Sequence, residues 1–142
     1  MSAETSALRT RVVQSHAMVA ALACGEEARY NVFVAKFQKQ LIAEGQSLRE
    51  FFSRAYGKSA TAKLNEFVTS MANRESGLSA IDRNAYCQRA AQLFEGLGAI
   101  RPDGLGELVG SMPYADNHGF DICVRRTAAV PTAAETASNP IR

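Results

Sequence analysis

The chain of 142 residues lacks the features that would assign a function directly. It has no Walker phosphate loop, no dinucleotide-binding fingerprint, no HExxH zinc motif and no GxSxG nucleophile motif. Its formal net charge is only +2, with both signs interspersed, so nothing indicates a nucleic-acid groove or an anionic membrane surface. No apolar run reaches the roughly 18 residues that a membrane-spanning helix needs. We therefore predict no nucleic-acid partner and no transmembrane segment.

Cysteine and histidine are also scarce. The three cysteines lie far apart without a CxxC pair, and there are only two histidines, which is too few ligands at suitable spacing for structural zinc. We predict no metal and no cofactor.

Helical patterning is what the chain does have, and it is strongest over residues 23–52. Apolar side chains recur there and just beyond at steps of three and four residues, as on one face of a helix: Tyr30, Val34, Phe37, Leu41, Leu48, Phe52 and Ala55. Gly45 occupies one position of this face, but the pattern keeps its phase across it. We predict one long helix from a turn at Gly25 to about Tyr56, and we expect the other elements to pack around it.

The remaining periodicity predicts helices over residues 7–23, 61–73 and 79–97, and a short fifth helix over residues 102–109. Thr5 or Ser6 is a suitable N-cap for the first of these. Residues 74–78 are polar and contain Gly77, so we predict a connection there, followed by a capping box of Ser79 and Asp82.

The predicted fold is therefore all-α, a single-domain bundle of four main helices with a short fifth helix and a C-terminal loop segment. The domain organisation is a flexible N-terminus over residues 1–6, a helical domain over residues 7–126 and a disordered tail over residues 127–142.

Cys24 and Cys87 are the most specific pair, because each lies beside the apolar face of a predicted helix. Side-by-side packing of these helices would permit a disulfide. Two buried thiols are the alternative. A third interpretation is lipid attachment, since Ala21, Leu22 and Ala23 before Cys24 loosely resemble a bacterial lipoprotein cleavage site.

Asp116, His118 and Cys123 lie close together in the predicted C-terminal loop segment. A thiol, an imidazole and a carboxylate are the material of nucleophilic catalysis or of a metal site. The same residues are equally consistent with a hydrogen-bonded turn, and no oxyanion-hole motif adjoins them. His16, in contrast, has no acidic neighbour at helical spacing and is interpreted as a packed or half-exposed histidine.

Two classes of function remain. The favoured class is a small helical binding, accessory or structural protein without catalytic activity, exported and stabilised by the Cys24–Cys87 disulfide, with another protein as its partner. The alternative is an enzyme or metal-binding protein that uses Asp116, His118 and Cys123. For localisation, the periplasm or secretion after removal of a leader not in this chain is favoured slightly over the cytoplasm.

Overall fold

A computed structural model describes residues 1–121, and all the regular elements in this range are helical. The α-helices are α1 (Ala3–Cys24), α2 (Glu27–Lys36), α3 (Gln38–Tyr56), α4 (Ala60–Ile81), α5 (Arg83–Ala99) and α6 (Leu105–Gly110), with 3-10 turns at Gly57–Ser59 and Pro113–Asp116. The predicted all-α fold is thus confirmed. The predicted tail over residues 127–142 lies outside the described residues.

The central element is α1, which contacts all five other α-helices and the 3-10 turn at Pro113–Asp116. More than half of its residues are buried, and they lie on every side of the helix. Small residues such as Ala7, Ala17, Ala20 and Ala21 let neighbouring helices approach α1 closely from several directions. The expectation that residues 23–52 form the centre is therefore wrong, because this stretch covers α1 from outside.

The long helix predicted up to Tyr56 is divided at Phe37, whose φ of −108° and ψ of 23° leave the helical range. Gly45, across which the apolar pattern keeps its phase, lies inside α3 as predicted. The Phe37 side chain is fully buried. The backbone changes direction at Phe37 because the two helices that it separates have different neighbours: α2 packs against α1 and α5, whereas α3 packs against α1 and α4.

The connection predicted over residues 74–78 is absent, because α4 continues through it to Ile81. The break lies instead at Asp82, whose side chain accepts a hydrogen bond from the Ala85 backbone N–H at 3.1 Å and caps α5. Ser79 does not form the predicted capping box, since its hydroxyl donates to the Ser76 carbonyl at 2.8 Å. Glu75 inside this stretch is buried, which explains why the helix persists there.

The N-terminus is helical earlier than predicted. Ser2 is the N-cap in place of Thr5 or Ser6, and its hydroxyl accepts from the Thr5 backbone N–H at 3.1 Å. Residues 3–6, predicted as flexible, therefore belong to α1. The short fifth helix of the prediction corresponds to α6, which begins three residues later than expected and ends one residue later.

Two apolar clusters flank α1. One joins the second half of α1 to α2, α5 and α6 around Phe33, Phe37 and Leu97, and the other joins its first half to α3 and α4 around Phe52 and Phe67. No helix within residues 1–121 has the length and hydropathy needed to cross a membrane.

Candidate functional site

The predicted disulfide joins the end of α1 to the first turns of α5. Cys24 is the last residue of α1 and Cys87 lies within α5, with their Cα atoms 5.7 Å apart and their sulfur atoms bonded. Gly25 ends α1 in the left-handed conformation, at a φ of 70°, which glycine adopts without strain. The Arg83 guanidinium donates to the Ala23 carbonyl at the same end. The bond therefore clamps α5 to the central helix.

The predicted Asp/His/Cys cluster is only partly within the described residues. Asp116 forms an ion pair with Arg9, and its side chain is 66% exposed. His118 is buried, and its Nδ1 accepts from the Phe120 backbone N–H at 3.1 Å. Cys123 lies outside the described residues, so the convergence of the three side chains stays a prediction. Within residues 1–121 no group of three or more His, Cys, Asp or Glu residues is arranged to hold a metal ion.

The environment of His118 favours its neutral form. Burial lowers the pKa of this imidazole, and the nearby Arg9 and Arg74 lower it further, while the Asp116 carboxylate acts in the opposite direction. Since Nδ1 accepts a hydrogen bond, the neutral ring carries its proton on Nε2.

Arg9 gives Asp116 a structural role. Its buried guanidinium donates to the Val109 carbonyl at 3.0 Å and to the Met112 carbonyl at 2.5 Å, and it also pairs with Asp116. These acceptors belong to the end of α6 and the segment after it. Arg9 therefore fastens this segment onto α1, and Asp116 is one of the acceptors that it uses.

A second polar cluster, which the sequence did not predict, lies inside the bundle. Glu75 Oε1 of α4 lies 2.5 Å from His16 Nδ1 of α1 and accepts a hydrogen bond from the Tyr86 hydroxyl of α5 at 3.0 Å. The Tyr114 ring packs edge-on against His16, with 5.4 Å between ring centroids. We call His16, Glu75 and Tyr86 the buried triad. Its members come from three helices, so no local spacing in the sequence indicates them.

The charge state of the buried triad follows from its surroundings. Burial alone would raise the pKa of Glu75, but the hydrogen bond and charge of His16, the Tyr86 hydroxyl and Arg74 together hold that pKa below its ordinary value. Burial and the Glu75 carboxylate raise the pKa values of Tyr86 and Tyr114. Glu75 is thus an anion with two neutral phenols nearby. Because His16 is 8%, Glu75 5% and Tyr86 0% exposed, we interpret the triad as structural.

Within residues 1–121, an apolar groove on the surface between α2 and α5 has the features of a binding site. Its cavity volume is about 360 Å³, and it is lined by Ala28, Arg29, Val32, Phe33, Lys36, Phe94, Glu95, Leu97 and Gly98. Val32 is 63% exposed, while Phe33 and Phe94 are buried. We call this the α2–α5 groove. The sequence does not predict this groove, because the apolar pattern of residues 23–52 indicates one core helix with one apolar face turned inward.

Two cations lie at the rim of the α2–α5 groove. Lys36 Nζ donates to the carbonyls of Leu97 and Gly98, both at 3.0 Å, and so caps the end of α5. No carboxylate within residues 1–121 pairs with Lys36. Arg29 forms an ion pair at 3.5 Å with Glu26, the residue that precedes α2.

Comparison with known proteins assigns this chain to no family. No protein-family model matches it, and no curated protein or solved structure matches it either.

Proposed function

We propose that this chain is a helical binding protein without catalytic activity, and that it docks a segment of another protein in the α2–α5 groove. The observation that carries the proposal is that Val32, which is exposed, lines the same groove as Phe33 and Phe94. Apolar side chains gathered in an open concavity favour an apolar ligand, because its burial there removes further apolar surface from water.

The groove also indicates what kind of segment binds. A groove between two helices is the usual site for an amphipathic helix that inserts apolar anchors. Arg29 and Lys36 at the rim outnumber Glu95, so an acidic side chain beside the anchor would complement the groove. We therefore propose a partner segment that pairs an aliphatic or aromatic anchor with Asp or Glu.

The disulfide supports an oxidising compartment as the place of function. Disulfides persist in the periplasm and outside the cell and are rare in the cytosol. We propose that the protein works after export, with the Cys24–Cys87 bond holding α5, one wall of the groove, against α1. Intact mass of the protein isolated from its host without reductant checks this, since a fully reduced chain would contradict it.

Selection of binders from a random peptide display library against the full chain tests the groove. The enriched peptides are expected to combine an apolar anchor with an acidic neighbour. Val32→Asp, which places a carboxylate at the mouth of the groove, should weaken their binding by more than about tenfold in a fluorescence polarisation titration.

Ile42→Asp is the matched control. Ile42 is another β-branched residue on the surface, 60% exposed on α3, and it does not line the groove. It should leave affinity unchanged within about twofold. Peptides that bind both variants equally, or that share no anchor, would contradict the proposed function. Photo-crosslinking in a lysate is a second test. A partner that is captured by a crosslinker at position 32 but not at position 42 should contain the same apolar anchor and acidic neighbour as the selected peptides.

A further inference from the structure

A second, smaller pocket lies between α1, α3 and α4, away from the α2–α5 groove. Its volume is about 180 Å³. Its polar lining comprises Thr10, Arg11 and Gln14 of α1, Glu44 and Arg49 of α3 and Asn65 of α4. Small-molecule sites usually measure about 300–1,000 Å³, so this pocket suits a small ligand or a single functional group.

Arg11 lines this pocket and forms no ion pair within residues 1–121. Its Nε is buried and has no hydrogen-bond partner within that range. Burial lowers the pKa of this guanidinium, and Tyr30 acts in the opposite direction. A buried N–H that has lost its hydrogen bond to water and gained no partner costs free energy, so a ligand that accepts from Nε would stabilise this arrangement.

Thr10 is an independent observation at the same place. Its side chain is 3% exposed, and its hydroxyl has no hydrogen-bond partner in the described part of the chain. Buried hydroxyls are nearly always satisfied by protein, water or a ligand. The Thr10 hydroxyl is therefore a second unsatisfied polar group among the residues that line the pocket.

The charges around the pocket leave an excess of positive sign. Arg49 is exposed on α3, and it too is absent from the ion pairs within residues 1–121. Glu44 is the acidic residue of the lining, and its carboxylate already accepts a hydrogen bond from the Ser6 hydroxyl. The lining therefore has two guanidinium groups, those of Arg11 and Arg49, and one carboxylate, that of Glu44.

We propose that this pocket binds a small oxyanion, a carboxylate or a phosphate group, through the guanidinium groups of Arg11 and Arg49 and the hydroxyl of Thr10. Guanidinium is the side-chain group that matches such anions with two parallel hydrogen bonds. The Gln14 and Asn65 amides supply further donors at the wall. The site shares no lining residue with the α2–α5 groove, so its test is independent of the test of the proposed function.

An NMR titration of the full, disulfide-bonded chain tests the site. The Arg11 Nε–Hε resonance is followed while inorganic phosphate, or in a second arm acetate, replaces chloride at constant ionic strength. A saturable shift with a dissociation constant in the millimolar range or tighter is expected in at least one arm. Saturation by phosphate alone identifies a phosphate ligand, by acetate alone a carboxylate, and by both a general oxyanion site.

Variants separate a built site from diffuse attraction of anions to a basic surface. Arg49→Gln changes an exposed residue and should raise the dissociation constant by about tenfold. Thr10→Val keeps the shape of the side chain and should also weaken binding. Arg54→Gln is the control, because Arg54 lies on α3 outside the pocket and pairs with Glu4 at 2.6 Å. A shift that fails to saturate in both arms, or that Arg54→Gln weakens as much as Arg49→Gln does, overturns the proposal.

Discussion

Glu75 is a buried carboxylate that joins three helices. It lies on α4 and binds His16 of α1 and Tyr86 of α5 through the same oxygen. Its removal would leave an imidazole and a phenol without partners in the interior, and the loss of one member of such a buried group costs more than the group contributes net.

We expect Glu75→Ala to lower the free energy of unfolding by about 3 kcal/mol at neutral pH. Urea denaturation followed by circular dichroism measures this change. Glu66→Ala is the control on the same helix, because the Glu66 side chain is 71% exposed and pairs only with Lys63. It should cost less than about 0.5 kcal/mol. Equal effects of the two changes would contradict the role of the buried triad.

Stability should also fall in acid through Glu75. Because its pKa is lower in the folded protein than the ordinary value of 4.5, the unfolded chain takes up the proton first as the pH falls. The stabilisation by the Glu75 carboxylate is therefore complete above about pH 4.5 and is lost as the pH falls through the folded-state pKa. The difference in unfolding free energy between wild type and Glu75→Gln should shrink between neutral pH and about pH 3. A constant difference would show that the Glu75 charge is unimportant.

At the scale of elements, α6 depends on α1. A helix of six residues is too short to be stable alone, so its order comes from tertiary contacts. Leu105 and Val109 supply the apolar contacts, and Arg9 binds the carbonyl of Val109 and that of Met112 in the following segment.

Arg9→Lys should loosen α6 without unfolding the bundle. A lysine keeps the charge but lacks the planar fork that reaches several acceptors at once. Amide hydrogen exchange in Leu105–Gly110 should accelerate by about tenfold, while exchange in α2 stays unchanged. Arg29→Lys is the control, since the ion pair that Arg29 forms within residues 1–121 is with Glu26, just before α2 and away from α6. Unaltered exchange in α6 would mean that apolar packing alone holds this helix.

Replacing glycine by alanine should have opposite effects on stability at Gly77 and at Gly25. Gly77 lies inside the helix, and an added Cβ would meet no other atom within 4 Å. Gly77→Ala should therefore raise the free energy of unfolding by about 0.5–1 kcal/mol. Gly25→Ala should lower it by a similar amount or more, because Gly25 has a φ of 70°. Thermal denaturation compares the two, and a destabilising Gly77→Ala would indicate a break in α4.

At the scale of the whole molecule, the disulfide closes a loop that contains α2, α3 and α4. The two cysteines are 63 positions apart, and a cross-link of that span is worth about 4 kcal/mol in the chain-entropy account. The bond thus restricts the unfolded chain and also clamps α5 onto α1.

The double variant Cys24→Ser with Cys87→Ser should lower the free energy of unfolding by about 4 kcal/mol in urea denaturation. Cys123→Ser is the control and should keep the bond. Alkylation of the unreduced protein should label one of its three cysteines. Labelling of all three, or the same stability for the double variant and wild type, would contradict a structural disulfide.

Much of this arrangement could be predicted from local patterns. The steps of three and four residues that predicted helices around Leu48, Phe67 and Leu93 correspond to buried positions of α3, α4 and α5. Cys24 and Cys87 could be paired because each lies beside an apolar face. The triad could not be predicted in this way, since His16 and Glu75 are neighbours only after α1 and α4 pack side by side.

Local patterns were enough to predict the helical class and the approximate extent of most helices, because helical periodicity acts within a few turns of the chain. They allowed the Cys24–Cys87 disulfide only as one of three interpretations of Cys24. Only the tertiary structure decided that α1 is the centre, that the chain turns at Phe37 and that Glu75 lies inside. The physical reason is that each depends on what packs on the far side of a helix. The type of a residue indicates whether it tends to be buried, but not which residue it contacts, because that residue comes from another part of the chain.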